Sequence, residues 1–146
     1  MTTIRNNSPL MAEIGRIAEV AGYLWTKGWA ERNGGNISVN LTGLLTDEEM
    51  ALPALAPAIE LQEAMTSLGG NVFYVTGTGK RMRYVAQDPF ANGALIRIAA
   101  DGKSYDIIAE QPVRPTSELP SHLMMHNYLR SLGRDNRVVL HTHPTE

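Results

Sequence analysis

Cysteine is absent from this sequence, which excludes disulfides and thiolate ligands, so any metal site must use histidine and carboxylate side chains. An excess of one charge is also lacking, because 13 Lys and Arg against 15 Asp and Glu give a net charge of -2. This balance indicates neither a nucleic-acid nor a membrane partner. Residues 1–20 interleave charged with apolar positions, which argues against an export signal or a membrane span. We therefore expect a cytoplasmic protein.

Hydrophobic spacing predicts a helix near each end of the sequence. Ser8 and Pro9 are predicted to be the N-cap and first-turn residue of a helix, and apolar residues then recur at three- and four-residue steps until Gly28. A second helix is predicted to begin with capping side chains in residues 116–118 and to end near Gly133.

Strands are predicted where β-branched and aromatic residues alternate or run together. The first of them is expected to be half-buried, and the third and fourth flank Asp101-Gly102, which favours a hairpin. Residues 42–70, interrupted by Pro53 and Pro57, are interpreted as a variable insertion with room for a short helix. The predicted strands cover residues 37–41, 71–76, 94–99, 104–108 and 137–143. Together these elements predict an α/β layered domain with a central, mainly antiparallel β-sheet flanked by helices.

All four histidines fall within residues 121–144. His141 and His143 lie two apart on a predicted strand, so both imidazoles project from one face and can reach one ion about 2 Å from each nitrogen. The alternative is a pair of partly exposed polar residues at a strand end. His122 and His126 have the i, i+4 spacing that could also clasp a metal, but His126 shares an apolar helix face, which favours one buried and one surface histidine.

Glu118 stands at the start of the second predicted helix, where the helix dipole favours a carboxylate by about 0.3–1 kcal/mol. Taken alone, this position favours a capping role. The same helix start, with the hydroxyls of Thr116 and Ser117 and its free N–H groups, can instead receive a phosphate.

Two glycine-rich junctions, residues 34–36 and 76–79, adjoin predicted strands. Glycine lets backbone N–H groups close on an anion, although either junction alone is most often a turn. Neither matches the P-loop pattern, because Gly79-Lys80 lacks the spaced upstream glycine and is followed by Arg81, and neither matches the dinucleotide-binding fingerprint. Nucleotide binding is therefore not expected.

Four motifs taken in order resemble the class II aldolase/adducin family. They are Arg32-Asn33-Gly34-Gly35-Asn36, Thr76-Gly77-Thr78-Gly79-Lys80, Pro115-Thr116-Ser117-Glu118-Leu119-Pro120 and His141-Thr142-His143. The combination is specific, and the resemblance runs from the first helix to the last residue, weakest in residues 42–70. It implies that residues 1–146 are the N-terminal portion of a single class II aldolase-like domain, truncated before the third metal ligand, in a protein that is a homotetramer at full length.

The resemblance also implies a site. One Zn²⁺ per subunit would be held by His141, His143 and a third histidine downstream, and Glu118 would be the catalytic acid and base. Substrate and phosphate contacts are expected at Asn33, Gly35, Asn36, Thr78, Gly79, Thr116 and Ser117.

Within the family, the motifs are most similar to those of members that cleave L-rhamnulose 1-phosphate into dihydroxyacetone phosphate and L-lactaldehyde, an aldehyde-lyase reaction of rhamnose catabolism. Fuculose-phosphate aldolase, a pentulose-phosphate epimerase and a thioribulose-phosphate dehydratase share the same motifs and are alternatives. A non-catalytic adducin-like binding module is a further alternative, against which the joint presence of Glu118, His141 and His143 argues. A small zinc protein folding as this chain alone is another.

Overall fold

The computed structural model of the protein describes residues 4–30 and 34–143, which form three layers with a β-sheet between helices. The helices are α1 (Ser8–Lys27), α2 (Asp47–Met50), α3 (Met82–Gln87) and α4 (Leu119–Ser131). The strands are β1 (Asn36–Asn40), β2 (Ile59–Glu60), β3 (Val72–Thr76), β4 (Gly93–Ile98), β5 (Ser104–Ile107) and β6 (Val138–His141). Short 3₁₀ turns occupy Ile4–Asn6, Thr42–Leu44 and Thr66–Leu68.

The sheet has six strands in the order β2-β5-β4-β3-β1-β6, and each of these neighbouring pairs is antiparallel. This confirms the predicted antiparallel sheet flanked by helices, including the β4–β5 hairpin around Asp101-Gly102. Gly102 adopts a positive φ of 73°, which suits glycine in that tight connection. Strand β1 lies between β3 and β6, and its two neighbours come from distant parts of the chain.

Helix α1 covers one face of the sheet. Its N-cap is Asn7, whose side chain accepts a hydrogen bond from the Leu10 N–H, so the predicted capping by Ser8 was wrong by one residue. Gly28 ends the helix in the left-handed conformation, as its position predicted. The buried stripe of α1 consists of Leu10, Ile14, Ile17, Ala21 and Leu24, and it packs with α3 and the sheet.

Strand β3 divides the core into two halves, because successive side chains of a strand point to opposite faces. Val72 and Tyr74 belong to the apolar cluster under α1 and α3. Phe73 and Val75 belong to a second cluster, which includes Leu123 of α4. Helix α4 therefore covers the sheet face opposite α1.

Strand β1 departs from the expected half-buried pattern, because all five of its residues are buried. Ile37 and Val39 pack in the α1 cluster. The polar residues Asn36, Ser38 and Asn40 point to the other face, where Ser38 is paired opposite Val75 of β3. The polar face of this strand lies beneath protein rather than in water, so each side chain needs a partner.

Residues 42–70 contain more structure than the sequence indicated. The predicted short helix is α2, which begins with a capping box between Thr46 and Glu49. Strand β2 was not predicted, and neither was the six-residue helix α3 that follows residues 76–79. No helix in the described ranges has the length and apolarity needed to cross a bilayer.

Candidate active site

Four elements meet at one end of the sheet: the start of β1, the end of β3, the start of α4 and the end of β6. Asn36 of β1 lies opposite His141 of β6. Thr76 at the end of β3 joins the others, because its hydroxyl accepts from the Ile37 N–H at 3.1 Å and its carbonyl accepts from the Thr116 N–H at 2.8 Å. The fold therefore assembles the sequence motifs, which are far apart along the chain.

Glu118 is the N-cap residue of α4, yet its side chain makes no capping hydrogen bond. One carboxylate oxygen, Oε2, accepts from the Asn36 amide nitrogen at 2.5 Å. The other, Oε1, lies 2.9 Å from Nδ1 of His141. Glu118 therefore occupies the capping position without the hydrogen bond of a cap, since both oxygens are directed to other motifs.

The electrostatic surroundings keep Glu118 ionised. Partial burial on its own would raise the pKa of this carboxyl, but the hydrogen bond from Asn36 and the proximity of His141 outweigh it, so the pKa of Glu118 is lowered. The side chain remains 46% exposed. It is therefore an ionised carboxylate that a ligand can reach.

His141 and His143 bring their rings together, with centroids 4.9 Å apart and planes tilted by 49°. Strand β6 is shorter than predicted, because it ends at His141. The His143 N–H lies beyond the strand and donates to the Trp29 carbonyl at 2.7 Å. The contact with Glu118 uses Nδ1 of His141. Metal-bound histidines commonly donate their second ring N–H to a carboxylate, so this arrangement fits a metal ligand. Within residues 4–30 and 34–143, no group of three or more His, Asp or Glu side chains is gathered to hold a metal.

His122 and His126 are both buried, so the expectation of one buried and one surface histidine was wrong. Both rings share the hydroxyl of Ser38, which lies 2.6 Å from Nδ1 of His122 and 2.8 Å from Nε2 of His126. Nε2 of His122 contacts the side-chain oxygen of Asn36. Sequence analysis did not single out Ser38; its available signal was a polar residue alternating with the apolar positions of β1.

Four of the expected phosphate contacts, Thr78, Gly79, Thr116 and Ser117, lie on two loops that are joined by a bridge between Gly77 and Pro115. The Thr78 N–H donates to the Arg114 carbonyl at 2.9 Å, so this amide is already used. The amides of Gly79 and Ser117 have no hydrogen-bond partner among the described residues, and both residues are exposed. These two exposed amides are available to bind an anion.

Gly35 lies at the entry to β1 with a positive φ of 86°. A Cβ at this position would lie 3.0 Å from the Ala30 Cβ and 3.2 Å from the His141 carbonyl oxygen, so the glycine permits the close approach of β6. Asn33, also expected in the site, lies outside the described residues. A cleft of about 450 Å³ opens beside Glu118 and His141, and its lining residues are Glu118, Ser121, His122, Met125, Val139, Leu140, His141 and Thr142.

The family model for the class II aldolase and adducin N-terminal domain matches residues 15–146. The chain belongs to this family. The resemblance inferred from the four motifs is thereby confirmed. Members of the class II aldolase family generally depend on zinc.

Two similar curated proteins carry the same activity in their names. The rhamnulose-1-phosphate aldolase of Bacteroides thetaiotaomicron is 49% identical over 100% of this chain and 55% of its own length. That of Listeria welshimeri is 39% identical over 94% of this chain and 49% of its own length. This chain thus spans about half the length of the curated relatives it matches.

A solved structure of a sugar-phosphate aldolase supports the fold. The sugar-phosphate aldolase from Thermotoga maritima superposes with a TM-score of 0.74 and 33% identity, covering 92% of this chain and 54% of that one. The fold of this chain is therefore similar to that of the Thermotoga maritima protein over most of its length.

Proposed function

We propose that the full-length protein is a metal-dependent aldolase that cleaves L-rhamnulose 1-phosphate to dihydroxyacetone phosphate and L-lactaldehyde, and that residues 1–146 form the N-terminal portion of its domain. The observation that carries this proposal is the placement of the Glu118 carboxylate between Asn36 and His141, with His143 adjacent. An ionised, reachable carboxylate beside two paired imidazoles suits proton transfer next to a metal. The names of the similar curated proteins support the choice of sugar.

We assign His141 and His143 as zinc ligands, with a third histidine contributed from outside this chain. The residues present fit this role, because imidazole nitrogens are preferred zinc ligands and Nδ1 of His141 already contacts a carboxylate. When bound, zinc would act as a Lewis acid that stabilises negative charge on the ketose oxygens.

Glu118 would hold and move the proton of the reaction. Cleavage of the C3–C4 bond leaves its electron pair on the ketose fragment, and a proton must then be added at C3 to give dihydroxyacetone phosphate. The C4 hydroxyl loses its proton as the C3–C4 bond breaks and the aldehyde forms, and Glu118, after taking up one proton as a carboxylate, would deliver one proton to C3. In the synthetic direction the Glu118 carboxylate would remove the proton from the carbon next to the carbonyl, and the aldehyde oxygen would gain one. Its lowered pKa keeps the base form available at neutral pH.

The phosphate of the substrate would be bound at the two joined loops, where the amides of Gly79 and Ser117 are free and the hydroxyls of Thr78 and Thr116 are close by. Gly35 and Asn36 would complete the pocket from β1, with Asn33 near the oxygens of the substrate. Binding a group remote from the reacting carbons supplies energy and orientation for the chemical step.

We also propose a cytoplasmic homotetramer with one zinc per subunit. Two large apolar side chains of α4, Met124 and Tyr128, are more than half exposed, and exposed apolar patches are typical of contact surfaces. Light scattering of the purified full-length protein measures the mass directly. A monomer would contradict the tetramer without affecting the assigned chemistry.

The deciding experiment combines zinc analysis with release of dihydroxyacetone phosphate by the full-length protein. L-rhamnulose 1-phosphate is the test substrate, and L-fuculose 1-phosphate and L-ribulose 5-phosphate are the comparison substrates. We expect stoichiometric zinc and preferred cleavage of the rhamnulose ester. Preference for another phosphosugar would move the assignment to another enzyme of the family, and zinc binding without turnover of any of them would favour a binding module.

A further inference from the structure

A continuous line of hydrogen bonds connects the core of the protein to Glu118. It runs from His126 through Ser38, His122 and Asn36 to the carboxylate. We propose that Ser38 is a positioning residue that fixes the orientation of Glu118 through His122 and Asn36. The proposal rests on the proposed role of Glu118 as the acid and base.

The donor and the acceptor of each hydrogen bond can be assigned by starting from Glu118. Ionised Glu118 can only accept, so the Asn36 side chain must present its NH₂ group to Glu118 and its oxygen to His122. An amide oxygen also only accepts, so Nε2 of His122 must carry the hydrogen. A neutral imidazole has one N–H, which leaves Nδ1 of His122 as an acceptor.

Ser38 completes the line. Because Nδ1 of His122 is an acceptor, the Ser38 hydroxyl donates to it across 2.6 Å. The Ser38 oxygen then accepts from Nε2–H of His126 across 2.8 Å. In all four hydrogen bonds, therefore, the donor lies on the His126 side and the acceptor lies on the Glu118 side. Burial lowers the pKa of both histidines, that of His126 to about 4, which agrees with neutral rings.

The line orients Glu118 rather than conducting protons to it. A relay would require each member to accept a proton on one side and release one on the other, and the Asn36 amide does not exchange protons in this way. The residues farthest from Glu118 are held in place by packing. The His126 ring stacks on Phe73 with centroids 4.7 Å apart, and Ser38 is fully buried in β1 between β3 and β6. The effect of Ser38 is thus on the geometry of the chemical step.

Ser38→Ala in the full-length zinc enzyme tests this role. We expect kcat to fall by roughly tenfold, because small misplacements of a catalytic group are costly, while KM and zinc content stay unchanged. Asn40→Ala is the matched control: Asn40 lies on the same buried face of β1, but its amide donates to Asn71 at 3.0 Å, away from Glu118. It should lower the melting temperature similarly and leave kcat intact. An equal loss of kcat in both variants would contradict the positioning role.

A second measurement does not depend on catalysis. Nitrogen-15 NMR of the histidine side chains reports which ring nitrogen carries the hydrogen, and we expect the Nε2–H form for His122 in the unaltered protein. Ser38→Ala should keep this form, because the Asn36 oxygen still accepts from Nε2 of His122, so a fall in kcat in this variant reports a change of orientation and not of tautomer. Finding the Nδ1–H form in the unaltered protein would overturn the proposal. If the unaltered protein cleaves no ketose phosphate, the proposed function fails, and the His122 tautomer still decides whether the line of hydrogen bonds exists.

Discussion

Asn36 and His141 face each other across strands β1 and β6, although 105 positions separate them in the sequence. Residues paired in this way project to the same face of a sheet, here the face covered by α4. The Glu118 carboxylate at the start of α4 then contacts both side chains. Pairing of the two strands is thus what brings the proposed metal-binding motif and a carboxylate into one hydrogen-bonded group.

Replacing Glu118 by Gln should retain zinc and lose most turnover. The amide keeps the size of the side chain but cannot accept a proton, and general acid–base catalysis contributes about 10²–10⁴-fold. We therefore expect kcat for dihydroxyacetone phosphate release to fall at least a hundredfold. Glu13→Gln is the control, because it removes a carboxylate from an exposed ion pair with Arg16 on α1 and should not alter kcat. Full activity of Glu118→Gln would exclude this carboxylate as the base.

Replacing His141 by Ala should remove zinc itself. With one of the paired imidazoles gone, the ligands remaining are too few for tight tetrahedral binding. Metal analysis after dialysis should show substoichiometric zinc in this variant. His126→Gln should keep a full complement, because the buried His126 ring contacts Ser38 and Phe73 rather than His143. Stoichiometric zinc in His141→Ala would place the metal elsewhere.

The sequence predicted the elements whose signals are local. Helix α1 carries its apolar spacing and terminal glycine within itself, and the β4–β5 hairpin carries its own turn residues. Strand β2 and helix α3 were missed because two and six residues are too short to show a period. Asn7 was missed as a cap because Ser8 beside it is an equally favoured residue type.

The buried polar residues of the site could not be predicted from the spacing of residues within one element. Alternation of polar and apolar residues in β1 is the pattern of a strand with one face in water, yet Ser38 is buried under α4. Its partners His122 and His126 are 84 and 88 positions away. The burial of one face of β1 depends on which distant element covers it, and sequence spacing within β1 holds no information on that.

Gly35 provides a test of how tightly the site is packed. Gly35→Ala adds a Cβ at positive φ, where a non-glycine residue costs about 1–2 kcal/mol, and that Cβ would also press on Ala30 and the His141 carbonyl. Gly70 has a similar φ of 78° with nothing within 4 Å of an added Cβ. Denaturant unfolding should therefore show a larger loss of stability for Gly35→Ala than for Gly70→Ala. Equal losses would mean that Gly35 serves only the backbone conformation.

The buried histidines should make the free energy of unfolding depend on pH. Burial lowers the pKa of His126 from 6.5 to about 4 and lowers that of His122 as well. Between pH 6.5 and about pH 4 the unfolded chain takes up a proton on His126 and the folded chain does not. The stabilising contribution of the neutral ring is therefore complete above the unfolded pKa and is lost as pH falls from 6.5 toward about 4.

This dependence is isolated by comparing the protein with His126→Gln, which keeps a donor for Ser38 and cannot titrate. One proton fewer taken up on unfolding should reduce the slope by up to about 1.4 kcal/mol per pH unit. Urea unfolding of the full-length protein at several pH values between about 6 and about 5 measures both slopes. Leu123→Ala on the same helix removes buried apolar surface, so it should lower stability equally at every pH. If His126→Gln keeps the original slope, His126 of the unaltered protein takes up no proton on unfolding, because its ring is already protonated in the folded protein. That result would contradict the neutral pair of imidazoles bridged by Ser38.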